Sequence, residues 1–129
     1  MKGERLLAFF LSATALCLAP SVGAATPPID CKKAKAPVEQ TICASPEFIA
    51  MDRELAALYD RGLAEFSGDE RHRLAQSQIA FVKKRSGCAW AAHHSAHPGT
   101  AVNECIRDKM EIRLRELRGA VDRGGVSGR

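Results

Sequence analysis

Four cysteines in two pairs, Cys31 with Cys43 and Cys88 with Cys105, constrain this chain more than any other feature. Each pair brackets a stretch of helical length, and both lie downstream of an apolar N-terminal run. An even cysteine count in an exported chain implies disulfides, and four cysteines allow three connectivities. Local closure favours Cys31–Cys43 and Cys88–Cys105. It suits a short helix folding back on the next one, and an antiparallel helix pair. The expectation is a small exported helical domain closed by two cross-links.

Residues 1–24 read as a secretory signal. Lys2 and Arg5 supply a positive start, and Leu6 to Ala19 is apolar except for Ser12 and Thr14. Val22-Gly23-Ala24 places small residues where a signal peptidase reads, so cleavage is expected after Ala24 or Ala25. The apolar run is about 14 residues, short of the roughly 20 that a spanning helix needs. No stable membrane anchor is therefore expected after cleavage. Cys17 lies inside the signal and follows Leu16, which is too large for a lipid-attachment site.

The whole chain carries a formal net charge of +4. Loss of Lys2, Glu4 and Arg5 with the signal lowers it by one. The charges are interspersed and aromatics make up 5% of residues, so a basic stacking surface for nucleic acid is not expected. Lys32, Lys33 and Lys35, and then Lys83, Lys84 and Arg85, read as solvated helix faces.

Hydrophobic spacing gives the fold class. Pro37 suits the first turn of a short helix running to Cys43. Ser45-Pro46-Glu47 is a helix start, with Ser45 as cap. Phe48, Met51, Leu55, Leu58, Tyr59, Leu63 and Phe66 then recur at three- and four-residue steps. Asp69 is expected to cap a second long helix, striped by Leu74, Gln78, Phe81, Val82 and Arg85 and ended by Gly87 in a left-handed turn. Residues 89–99 are ambiguous up to the Pro98-Gly99 break. Thr100 is expected to cap a third long helix bearing Cys105, Ile106, Met110, Arg113, Leu114 and Leu117 on one side. Fraying is expected from Gly119. The chain thus divides into a signal (1–24), an extended leader (25–30), a helical domain (31–118) and a flexible tail (119–129). The class is all-α, a small disulfide-linked bundle of three long helices plus a short N-terminal one. Leu55, Leu58, Tyr59, Phe81, Ile106, Met110 and Leu117 are expected to be buried together.

No nucleophile elbow, Gly-rich phosphate loop or His-Glu-x-x-His motif is present. Glu39, Asp52 and Glu54 are the carboxylates considered for acid–base work. Asp52 is instead expected to pair inside the bundle with a basic residue such as Arg113. With Gln78 and Arg85, these two form an expected structural polar network that fixes helix register. His93, His94 and His97 are the one metal-like cluster, with His93 and His97 spaced to share a helical face. No acidic or cysteine ligand is free once Cys88 and Cys105 are bonded, so surface histidines in a loop are expected and no metal site. No cofactor is expected. Trp90 follows Cys88 closely and is expected to pack on its disulfide; the alternative is an exposed anchor for a partner.

The ordered blocks of the chain resemble the N-terminal domain family of LprI-type lysozyme inhibitors. The first block is Ile29-Asp30-Cys31, Val38-Glu39-Gln40-Thr41-Ile42-Cys43, Ser45-Pro46-Glu47, Met51-Asp52-Arg53-Glu54-Leu55 and Tyr59. The second is Leu74, Gln78, Phe81, Arg85 and Cys88, and the third Cys105-Ile106-Arg107, Arg113 and Leu117. Phe81 stands where that family usually has tryptophan, and the stretch between Cys88 and Cys105 is long and histidine-containing. The resemblance implies a helical fold, a periplasmic or secreted location and a non-catalytic protein-binding module, with lysozyme as the candidate partner. Two other functions compete: a periplasmic metal-handling protein using the histidine loop, and a structural envelope or stress domain without ligand.

Overall fold

The computed structural model describes residues 27–126. The expected signal, its cleavage site and Cys17 lie outside the described residues, as do residues 127–129. Four α-helices and one 3-10 segment follow in order: α1 (Pro37–Cys43), α2 (Pro46–Glu65), α3 (Gly68–Ser86), the 3-10 segment Gly87–His94, and α4 (Pro98–Arg123). Among the described residues there is no strand. The protein is an all-α, disulfide-linked bundle.

Each helix has a local cause. The Ser45 hydroxyl accepts a hydrogen bond from the Phe48 amide at 3.3 Å, and Pro46 occupies the first turn of α2. The apolar stripe of α2 then turns inward at Phe48, Leu55, Tyr59 and Leu63. α2 packs mainly on α4, which contributes Ile106, Met110, Leu114 and Leu117. Ile106 and Met110 are fully shielded from solvent. α3 closes the third side with Leu74 and Phe81. Gly62 permits the close approach of α2 and α3: a Cβ there would lie 2.7 Å from Leu74 Cδ2. Leu58 differs from expectation, being only partly buried at the edge of this core.

Several helix ends differ from the sequence reading. α3 starts at Gly68, where φ is +52°, and Ser67 rather than Asp69 stands before it, without a side-chain cap. α4 starts at Pro98, not after Thr100, because proline needs no amide partner in a first turn. Gly87 is right-handed at φ −63° and does not stop the chain. The helix tightens there into the 3-10 segment, and Cys88 is buried on its first turn. The left-handed terminator is Gly124, at φ +74°. α4 therefore runs through Gly119 to Arg123, past the point where fraying was expected to begin. Ala120 and Val121 are buried, which offsets the helix cost of glycine. The Val126 amide donates to Glu70 Oε2 at 2.6 Å and ties this end to the first turn of α3.

Both disulfides join the local partners. Cys31 and Cys43 have Cα atoms 5.5 Å apart, and Cys88 and Cys105 lie 5.6 Å apart. The first holds the leader against the end of α1, and the second holds the 3-10 segment against α4.

Candidate functional site

Two features of the fold are candidate sites: the buried polar cluster and a surface groove. The cluster sits where α2, α3 and α4 meet. Asp52 Oδ1 accepts from Arg85 Nη1 at 2.9 Å, and its Oδ2 accepts from the Ile29 amide at 2.7 Å. Both side chains of this ion pair are about nine-tenths shielded. Arg113 takes other partners. Its Nε and Nη2 donate to Gln78 Oε1 at 3.2 and 3.0 Å, and Nη2 also donates to Ser77 Oγ at 3.0 Å. The expected Asp52–Arg113 pair is thus replaced by Asp52–Arg85. About two turns of α3 separate the two groups: Arg85 reaches α2, while Gln78 faces α4.

Phe81 lies between the two cations, with Arg85 at 5.2 Å and Arg113 at 5.7 Å from its ring centroid. Burial lowers the Arg113 pKa, and the Glu116 hydrogen bond and charge only partly oppose this. Among the described residues no buried side-chain polar atom lacks a partner. Both oxygens of Asp52 are engaged, and the bonds of the cluster link three helices and the leader.

The groove is built from α1, the 3-10 segment and the first half of α4. Its volume is about 900 Å³. Val38, Phe48, Ala89 and Val102 give it an apolar floor, and Gln40 and Asn103 add amide groups. Arg107 borders it, paired with Glu47 and placed 5.2 Å over the Phe48 ring. Hydrogen bonding from Arg107 holds the Glu47 carboxyl below its ordinary range.

His93 lines the groove, and the Trp90 ring packs against it at a 43° tilt with ring centroids 5.4 Å apart. Trp90 is 69% exposed, which overturns the expected packing on the disulfide. Two positions on from Cys88, Trp90 points away from the side that the buried Cys88 presents to the core, and with three residues per turn it shares a face with His93.

The histidines do not assemble as their spacing suggested. The 3-10 segment ends at His94 and Ser95 is extended, so His93 and His97 do not share a helical face. Among the described residues no group of three His, Cys, Asp or Glu side chains is placed to hold a metal ion. No helix among them is long and apolar enough to cross a membrane.

Sequence reasoning missed the groove because its walls come from separate stretches, none of which carries a motif. The available signals were Arg107, which belongs to the third resembling block, and the lone Trp90 beside a cysteine. A family model described as Lysozyme inhibitor LprI matches residues 31–117. No curated protein and no solved structure matches the chain.

Proposed function

Since the chain belongs to the LprI lysozyme inhibitor family, we propose that it is an exported, non-catalytic binding module that inhibits a lysozyme by docking on it through the groove face. The observation that carries this reading is Trp90. A large aromatic side chain exposed at 69% beside an open, apolar-floored groove is the kind of anchor that dominates protein interfaces. His93 props the indole from one side, so less of its freedom is lost on binding. The flanking Gln40, Asn103 and Arg107 supply the polar rim that such an anchor needs.

Export is part of the proposal. It rests on the N-terminal signal pattern and on the two disulfides, which persist in oxidising compartments. Inhibition by docking consumes no substrate, so it should be stoichiometric and saturable. The test is a titration of several lysozyme classes with the oxidised protein, reading hydrolysis of cell-wall glycan. Saturable loss of activity in at least one class at micromolar protein supports the reading. Full activity in every class at that excess removes it.

A further inference from the structure

A second depression, of about 270 Å³, lies between α3 and α4 and shares no lining residue with the groove. Lys84, Lys109 and Arg113 are among its lining side chains, against a single carboxylate, Glu116. The positive charge there is incompletely answered. Glu116 accepts from Arg113 Nη1 at 3.2 Å, but its side chain is 58% exposed, so water screens it. Lys109 reaches only the adjacent Asp108, at 3.2 Å. Lys84 has no hydrogen-bond or ion-pair partner among the described residues. A guanidinium carries five N–H donors. The bonds of Arg113 to Gln78, Ser77 and Glu116 leave one Nη1 hydrogen unused.

We propose that this pocket binds a small oxyanion, a carboxylate or phosphate group, held by the Lys84 and Lys109 ammonium groups and the remaining Nη1 hydrogen of Arg113. The Nε/Nη2 edge of Arg113 is occupied by Gln78, so the anion meets one guanidinium hydrogen and two flexible point charges rather than a bidentate fork. The lowered pKa of Arg113 agrees, because an entering anion would offset the cost of burying that cation. The site is independent of the lysozyme reading: its lining residues come from α3 and from α4 beyond Arg107.

The experiment is an NMR titration of the oxidised protein with sodium phosphate in one arm and sodium acetate in the other, with sodium chloride holding ionic strength constant. The expected result is saturable shifts at the Lys84, Lys109 and Ile112 amides and the Arg113 Nε–H in at least one arm. The arm that saturates names the ligand class. Lys84→Glu and Lys109→Gln should each weaken binding by about tenfold or more, the scale of a lost charge-assisted contact. Lys83→Glu makes the same charge change as Lys84→Glu in the same turn, outside the lining, and should alter affinity by less than about threefold. Linear, unsaturated shifts in both arms would overturn the proposal. So would equal weakening by Lys83→Glu and Lys84→Glu.

Discussion

Asp52 receives the Arg85 guanidinium on one oxygen and the Ile29 amide on the other, so one side chain joins α2, α3 and the leader. Asp52→Ala leaves the Arg85 charge buried and unpaired. It should cost about 3–5 kcal/mol, read by urea denaturation, whereas a loss below about 1 kcal/mol would show that Arg85 finds water instead. Phe81→Ala removes a buried ring and the surface on which both guanidinium groups rest. A loss of about 3–5 kcal/mol is expected in the same assay. The members of this cluster were legible as polar residues on apolar helical stripes. Their pairing was not. Arg85 and Arg113 both project into the bundle, and which of them meets Asp52 depends on how α3 and α4 are rotated. Periodicity gives that rotation only to within a side chain's reach.

Helices were legible at their starts and stripes, and less so at their ends. Ser45-Pro46 and Pro37 gave correct starts because a capping hydroxyl and a proline act locally. Gly87 and Gly119 misled because a glycine permits a stop without requiring one. At Gly87 the Cys88–Cys105 bond draws the chain onward, and at Gly119 the burial of Ala120 and Val121 does so. The Cys88–Cys105 disulfide also fixes the 3-10 wall of the groove. Replacing both cysteines with alanine should cost about 3 kcal/mol. It should also speed hydrogen exchange across Ala89–His94 more than in α2. Uniform acceleration across both would mean that the bond has no special hold on that wall.

Glu47 and Arg107 link the first turn of α2 to α4. The folded-state pKa of Glu47 is depressed by the Arg107 hydrogen bond. The contribution of this pair is therefore present above the unfolded-state pKa and is lost as pH falls through the folded one. Glu47→Gln should shrink the difference in melting temperature between neutral and acidic solution. An unchanged difference would show that the pair contributes nothing in water.

At the scale of the whole molecule, the all-α class, the two disulfides and the family followed from cysteine spacing, helical stripes and ordered sequence blocks. The groove did not, because α1, the 3-10 segment and α4 meet there only after folding. Trp90 carries the same lesson. Its place near Cys88 suggested burial, but two positions along the helical segment it points away from Cys88 and into solvent. That exposure makes the central claim directly testable. The measurement is the inhibition constant of Trp90→Ala against a lysozyme that the unaltered protein inhibits, with melting temperature measured on both. An interface anchor is worth about 2 kcal/mol or more, so the constant should rise by roughly 30-fold. The melting temperature should stay nearly the same, because an exposed indole adds little to the core. An unchanged inhibition constant would contradict the claim that this face holds the target.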